Sequence, residues 1–208
     1  MIFSSALLER AVNEFARLPG IGRKTALRLV LHLVKQEPDT VKQFSEAVSR
    51  LREEIRFCTR CHNIADTPLC NICNNPSRKN ELICVVENIR DVIAIESTQQ
   101  FNGLYHVLGG VISPLDGVGP DQLEIESLLC RIQKDSVNEL VFALNANVQG
   151  DTTVYYISKK LRDYPVKITT ISRGISFGGE LEYADEMTLA RSISNRIPVE
   201  QYIGHTKT

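Results

Sequence analysis

Apolar residues in the first quarter of the chain recur every three or four positions, which is the spacing of amphipathic helices. A helix is predicted over residues 4–17, a second over about 23–35, and a third from Asp39, the expected N-cap, to Ile55. The apolar stripe of the third helix comprises Val41, Phe44, Val48, Leu51 and Ile55. This stripe must pack against another surface, which is either the first two helices or a second subunit.

Beyond about residue 80 the pattern changes to short apolar runs that alternate with segments of helical spacing. Strands are predicted over 81–87, 104–109, 138–144 and 165–172, and helices over 88–98, 122–134 and 151–163. Strands that alternate with helices favour an α/β unit with a parallel sheet and right-handed crossovers. A Gly-rich loop over 173–186 precedes a final helix, and the residues from about 198 onward are expected to form a tail.

Composition limits the class of protein. With 208 residues and 43% apolar content, the chain can form one large domain or a medium domain with small appendages. The sequence has no apolar run of the ~18 residues that a membrane-spanning helix needs, and Glu9 and Arg10 come too early for a signal peptide. We therefore expect no transmembrane helix and a cytoplasmic location, where thiols stay reduced.

Charge is divided unevenly along the chain. Residues 1–80 hold 13 Lys and Arg against 8 Asp and Glu, whereas residues 81–208 hold 11 against 17. A basic head on an acidic body suggests an anionic partner near the N-terminus. Taken alone, however, the uneven distribution of charge is explained equally well by chance in a soluble protein.

Four cysteines follow one another with the spacing C-x2-C-x8-C-x2-C: Cys58, Cys61, Cys70 and Cys73. Each C-x2-C pair can present two thiolates to one ion, and two pairs complete a tetrahedral shell with no open position. The expected ion is therefore one structural Zn²⁺, with iron as the alternative for thiolate ligands. Disulfides are disfavoured in a reducing compartment, and the domain context of a redox C-x2-C motif is missing.

The remaining cysteines and a neighbouring histidine are expected to have other roles. Cys84 lies inside an apolar strand and Cys130 on the apolar side of a helix, so both are predicted to be buried small hydrophobes. His62 follows the second cysteine and could replace a ligand, but four thiols suffice. We expect His62 to be exposed or to contact the metal ligands from outside.

The segment LPGIGRKTALRL (18–29) joins the first two predicted helices through a turn that contains Gly20 and Gly22. Glycine permits positive φ and close backbone approach, and free N–H groups at the start of the next helix favour a phosphate. Lys24 and Arg28 share a helical face, so they would flank the same phosphate backbone. Such contacts are independent of base sequence and sensitive to salt. The alternative is a capped helical hairpin whose glycines are structural.

Longer motifs point to a known family. The segment 18–29 resembles a helix-hairpin-helix DNA-binding motif. Together with the cysteine cluster, ICVVENIRDVIAIE (83–96), YHVLGG, SPLDGVGPD and GGELEYADEMTLAR (178–191), it resembles the RecR family of bacterial recombination mediators over nearly the whole chain. The resemblance implies an α+β chain of four parts: a helix-hairpin-helix DNA-binding region at 1–56, a four-Cys zinc finger at 57–80, an α/β Toprim domain with a parallel sheet at 81–172, and a small C-terminal segment at 173–208.

The resemblance also implies a function. Family members assemble as homodimers and as ring-like homotetramers that can encircle DNA. They act with RecO, and in many bacteria with RecF, to load the RecA recombinase onto gapped DNA, and they associate with the nucleoid during repair. They bind DNA without known catalytic turnover. Lys24 and Arg28 occupy the positions at which the family places basic residues that contact DNA.

Catalytic Toprim enzymes hold magnesium with a Glu after the first strand and an Asp-x-Asp pair after a later strand. Glu87 fits the first requirement, but the later strand is followed by Asn145 and Asn147, whose neutral amides are weaker ligands of hard cations. We therefore expect no enzyme activity. The family loop usually reads Asn-Pro-Thr-x-Glu-Gly, and Gln149 replaces the Glu here, so a partner surface would differ at this position.

Three hypotheses of function differ in what they predict for DNA. The leading hypothesis is a non-enzymatic DNA clamp and loading factor, which binds DNA in a salt-dependent way. A magnesium-dependent nuclease or topoisomerase-like Toprim enzyme would instead nick or relax plasmid DNA. A purely structural zinc module that serves as a protein adaptor would not bind DNA at any salt concentration.

Overall fold

The computed structural model describes residues 3–175, 178 and 180–199. The described chain combines helices with a parallel sheet, as the sequence predicted, and it divides after Ile55 into two compact units that are described separately. No helix among the described residues combines the length and the apolar character that crossing a membrane requires. The predicted tail lies almost wholly beyond residue 199 and is therefore outside the described residues.

The first unit, described from residue 3 onward, has three helices there: α1 (Ala6–Ala16), α2 (Arg23–Val34) and α3 (Pro38–Glu54). The side-chain oxygen of Ser5 caps α1 by accepting a hydrogen bond from Leu8 N at 3.4 Å. α1 and α2 pack together around the buried side chains of Val12, Ala26 and Val30. This small core fixes one face of α2 and leaves the other face to solvent.

α3 departs from the sequence-based prediction in two respects. It begins at Pro38 with Glu37 as its N-cap, and not at an Asp39 cap, because the fixed φ of proline suits the first position of a helix. None of its residues is buried, and Phe44 and Leu51 of the predicted stripe are 47% and 59% exposed. The prediction that this stripe is buried against the first two helices is therefore wrong for the described chain. Contact of the stripe with a second subunit stays a prediction.

The second unit begins with a short antiparallel ribbon and continues with a four-stranded sheet. The ribbon pairs β1 (Arg56–Phe57) with β2 (Ile64–Ala65). The sheet strands are β3 (Lys79–Val86), β4 (Gly103–Val107), β5 (Glu139–Ala143) and β6 (Lys167–Thr170). All neighbouring strands of the sheet are parallel, and their order is β4-β3-β5-β6, so β4 is an edge strand.

Among its described residues the second unit has four α-helices: α4 (Ile89–Ser97), α5 (Ile125–Lys134), α6 (Val148–Lys160) and α7 (Glu186–Ser194). Single turns of 3₁₀ helix lie at Pro114–Asp116, Pro120–Gln122 and Leu181–Tyr183. α7 follows the sheet, and Arg191 on it lies 3.7 Å from a carboxylate oxygen of Asp151 on α6. This ion pair ties the small C-terminal segment to the α/β part of the unit.

Both faces of the sheet are buried, which explains the continuous apolar run of β3. Ile83 and Val85 face one core together with α5 and α6, whereas Cys84 and Val86 face a second core together with α4. Successive side chains of a strand point to opposite faces, so both sets must be apolar. The predicted burial of Cys84 is confirmed. Because the strands are parallel, the residues that follow β3 and β5 meet at one end of the sheet.

Two of the differences from the predicted helices have a clear structural reason. α6 begins at Val148 rather than at residue 151, because Asn147 caps it by accepting a hydrogen bond from Gly150 N at 2.8 Å. Cys130, which was predicted to be buried, is exposed. Leu128 on α5 faces the core, and a position two residues further lies about 200° around the helix, so Cys130 points away from that core.

Candidate metal centre and nucleic-acid interface

Two tight turns bring the side chains of the clustered cysteines together. In the first turn His62 N donates to Cys58 O at 2.9 Å, and in the second Asn74 N donates to Cys70 O at 3.0 Å. The four buried Sγ atoms all lie within 4.8 Å of one another and belong to Cys58, Cys61, Cys70 and Cys73. Each turn spans one C-x2-C pair, so the spacing in the sequence sets the geometry of the cluster.

The donor set fits Zn²⁺. Four thiols at this separation cannot all lose their protons without a cation among them, because each thiolate repels the next. The contact between the Sγ atoms of Cys61 and Cys70, 3.5 Å apart, raises the pKa of Cys61 and lowers the pKa of Cys70, so one thiol keeps its proton while the other loses it. Zn²⁺ would be held by four sulfurs in a closed shell, which makes the site structural and not catalytic.

His62 lies outside the cysteine cluster and contacts the neighbouring helix. Its φ of 61° is in the left-handed region, which is uncommon for a residue other than glycine. Its Nε2 atom lies 2.8 Å from Ser127 Oγ on α5, and its ring packs edge-on against His106 with centroids 5.2 Å apart. The strained turn is therefore accompanied by a polar contact between the finger and α5.

The first cysteine turn is docked on the free edge of β4. Val107 N donates to Cys61 O at 2.9 Å, which extends the hydrogen bonding of the sheet by one bond. Arg60, between the first two cysteines, donates from Nη2 to Asp135 Oδ2 at 2.9 Å. The finger thus shares one compact unit with the α/β sheet.

A partly buried ion pair anchors the chain where it leaves the finger. Arg78 pairs with Glu96 of α4 and also donates to Phe101 O at 3.1 Å. Tyr105 Oη donates to Glu96 Oε1 at 2.7 Å, so the carboxylate has two partners. The hydrogen bond from Arg78 lowers the pKa of Glu96. This cluster is internally balanced, with one cation and one anion.

The predicted phosphate-binding turn lies between α1 and α2. Gly20 has a φ of 78°, in the left-handed region that favours glycine, whereas Gly22, the N-cap of α2, has an ordinary φ of −76°. A Cβ atom on Gly22 would meet nothing within 4 Å. Gly20 is therefore required by the turn, while Gly22 keeps the start of α2 open to a close approach.

The predicted basic residues lie on the exposed face of α2. Lys24 and Arg28 line a shallow groove, which continues along the helix to His32 and Lys35. These last two residues were missed in the sequence, although their helical spacing from Arg28 was a signal for them. The residues predicted to contact DNA therefore lie close together: Gly20 and Gly22 in the turn before α2, and Lys24 and Arg28 on the first two turns of the helix.

The residues predicted at the Toprim site also meet, at the carboxyl ends of β3 and β5. Asn145 Nδ2 donates to Glu87 Oε2 at 2.8 Å. Asn147 Oδ1 accepts a hydrogen bond from Gly150 N and serves as the cap of α6. Asp91 Oδ2 accepts a backbone N–H at 3.0 Å in the capping box of α4. Of the side chains that would hold a hard cation, Glu87 is thus hydrogen-bonded by Asn145, and the others are neutral or engaged in helix capping.

Comparison with known families gives four matches along the chain. Residues 8–51 match the model of the RecR helix-hairpin-helix, residues 55–75 the RecR four-cysteine zinc finger domain, residues 81–172 the Toprim domain, and residues 174–197 the RecR C-terminal region. The zinc finger match and the sulfur cluster together show one structural zinc.

Curated relatives match over nearly the whole chain. A recombination protein RecR of Amoebophilus asiaticus is 56% identical, covering 95% of this chain and 98% of the relative. The protein of the same name from Bacteroides thetaiotaomicron is 58% identical over 93% of this chain and 95% of the relative. That of Flavobacterium johnsoniae is 56% identical over 97% and 98%, respectively.

Proposed function

The chain belongs to the RecR family of recombination proteins, and from this premise we propose that it is a non-enzymatic mediator that binds DNA independently of base sequence during recombination and repair. The observation that carries the proposal is the exposed pair Lys24 and Arg28, one turn apart on α2, beside the open backbone at Gly22. In this proposal the pair and the first amides of α2 contact one phosphate backbone.

The charges of the hairpin support this role. Arg17 is paired with Glu14 at 2.9 Å, and Arg23 donates to Asn13 at 3.2 Å. Within the described residues Lys24 and Arg28 form no ion pair, so their charges are available to a ligand. A phosphate that binds them loses its condensed counterions, and this release drives binding at low salt.

The test is a salt titration of DNA binding with unrelated sequences, both single- and double-stranded. We expect similar affinities for all sequences of one type. The logarithm of the association constant should fall linearly with the logarithm of salt concentration, by about 0.9 for each phosphate contacted on duplex DNA. An affinity that does not change with salt, or no binding at any salt, would exclude the hairpin as a phosphate-binding site.

The same protein incubated with supercoiled plasmid and Mg²⁺ or Mn²⁺ tests the non-enzymatic part of the proposal. We expect neither nicking nor relaxation, because Asn145 and Asn147 are poor ligands of these ions and Glu87 is bound to Asn145. Nicking or relaxation that disappears in Glu87→Ala would support a Toprim enzyme instead.

We further propose that the protein works as a ring-like clamp of two or four copies in the bacterial cytoplasm, at the nucleoid during repair. RecO, with or without RecF, would be its partner in loading RecA onto gapped DNA. The division of the chain into four parts, at residues 56, 80 and 172, would separate the regions that face DNA from those that face protein partners.

The exposed apolar stripe of α3 supports assembly, since a second copy of the chain would cover it. Mass measurement in solution, with and without DNA and RecO, tests this. Monomer alone at micromolar concentrations would contradict it.

A further inference from the structure

One buried guanidinium beside the cysteine cluster lacks hydrogen-bond acceptors for two of its nitrogen atoms. The side chain of Arg131, on α5, is 5% exposed. Its Nη1 atom donates to Tyr105 O at 2.7 Å, but within the described residues Nε and Nη2 find no hydrogen-bond acceptor. A buried guanidinium with unpaired N–H groups is costly, so a compensating negative charge is expected close by.

The neighbouring carboxylate provides only part of that charge, because it is shared with a second guanidinium. Asp135 Oδ2 lies 3.5 Å from Arg131 Nε but accepts its hydrogen bond from Arg60 at 2.9 Å. His106, also buried, is neutral near pH 7 because burial lowers its pKa to about 3. This corner of the unit therefore holds two guanidiniums against one carboxylate, a surplus of positive charge.

The cysteine cluster lies next to this surplus. Tyr105 and Val107 point their backbone groups to the same free edge of β4, because they are two residues apart on one strand. Tyr105 O accepts from Arg131, and Val107 N donates to Cys61 O, so the guanidinium and the first cysteine turn are neighbours on that edge. Burial, and to a lesser extent the charge of Arg60, lower the pKa of Arg131, whereas negative charge on Cys73, Cys61 and Asp135 acts in the opposite direction.

We infer that Arg131 is the cation that balances the zinc tetrathiolate. Four thiolates outweigh the charge of one Zn²⁺, so the loaded finger is an anion, and the free N–H groups of Arg131 suit its sulfurs. Arg131 belongs to α5 and not to the finger. It is a positioning residue that links zinc affinity to the packing of the α/β sheet.

The test is the zinc affinity of the full chain, measured by competition with a chelator of known affinity. Arg131→Met keeps the bulk of the side chain without the charge and is expected to bind zinc about 10–100-fold more weakly. Arg131→Lys keeps the charge and should recover most of the affinity. The control is Lys134→Met, which removes a positive charge from an exposed position of the same helix and should leave the zinc affinity unchanged.

Cobalt substitution gives a second signal that depends on the charge next to the sulfurs. Loss of a nearby cation raises the energy of the thiolate electrons, so the thiolate-to-Co²⁺ band of Arg131→Met should move to longer wavelength, and that of Arg131→Lys should not. Wild-type zinc affinity together with an unmoved band in Arg131→Met would overturn the inference. If that variant does not fold, Arg131→Gln and Arg131→Lys decide the question, since equal affinities of these two would overturn it as well.

Discussion

Replacing Cys58 by Ser is expected to abolish zinc binding and to unfold the finger. The hydroxyl of Ser is far less acidic than a thiol and is a poor zinc ligand, so the closed shell loses one of its four members. The Cys58 side chain is fully buried, and apart from the cysteines the buried cluster of the finger contains only Ala65 among the described residues. A segment with so small a core depends on its metal, and structural zinc contributes on the order of 10 kcal/mol in finger peptides.

The measurements are zinc content per chain and thermal unfolding. Zinc should fall from about one ion per chain to almost none, since structural sites use all four ligands. If the neighbouring sheet preserves part of the structure and only about 5 kcal/mol is lost, Tm should still fall by roughly 10–20 °C for a chain of this size. Folding and assembly should be disturbed first, and DNA binding only as a consequence.

Two other cysteines provide the matched controls. Cys130→Ser changes an exposed thiol and should alter neither the zinc content nor Tm. Cys84→Ser places a hydroxyl in the buried core beside β3 and should lower Tm while the zinc content stays the same. A zinc-free Cys58→Ser protein with the Tm and assembly of the wild type would show that the metal is dispensable for this fold.

The double variant Lys24→Ala with Arg28→Ala is expected to lose DNA affinity by about 100-fold per bound protomer near 0.1 M salt, because each lost phosphate contact costs on the order of tenfold there. The slope of the salt dependence should become shallower by about 2, one for each cation removed. Both side chains are exposed, so the fold should not change. Fluorescence anisotropy with a labelled oligonucleotide at several salt concentrations measures both quantities.

The control for this variant removes the same charge elsewhere in the first unit. Lys42 and Arg50 on α3 are exposed and lie 3.9 Å from Glu46 and 2.7 Å from Glu54, respectively. Their double replacement by Ala changes the net charge equally but removes cations that already have partners, so the salt slope should be preserved. Equal losses in the two double variants would indicate a general effect of charge and not a site on α2.

Gly22 separates the contribution of the backbone from that of the cations. Gly22→Ala is compatible with the φ of −76° and with the empty space around the position, so the hairpin should fold normally. The added methyl group should hold a phosphate away from the first amides of α2 and weaken binding while the salt slope stays constant. Unchanged affinity in this variant would show that the backbone amides do not take part.

Local patterns in the sequence predicted the metal centre and most of the elements. The two C-x2-C pairs specify their own turns, because each closes through a backbone hydrogen bond within five residues, as between His62 N and Cys58 O. The strand β3 was predictable because both of its faces are buried, which requires a continuous apolar run. In both cases the information lies within a few consecutive residues.

Contacts between distant residues could not be predicted in this way. Arg131 carries no signal in the sequence of its burial, since the position depends on how α5, β4 and the finger pack together. Cys130 was assigned to the wrong face of α5 for a related reason: the apolar stretch around it did not show which side meets the sheet. Only half of the groove along α2 was predicted, because His32 and Lys35 lie one and two turns beyond Arg28 and outside the glycine-containing motif.

The docking of the finger on β4 has a consequence for solubility. An edge strand with unpaired backbone groups can recruit a strand from another molecule, and proteins usually cover such edges. Here the outward backbone groups of Tyr105 and Val107 are occupied by Arg131 and by the first cysteine turn. Removal of the metal would therefore do more than loosen a small module, because it would uncover a strand able to pair between molecules. Zinc-depleted protein should aggregate through intermolecular β-structure. The ion therefore also keeps β4 from pairing with a strand of another molecule.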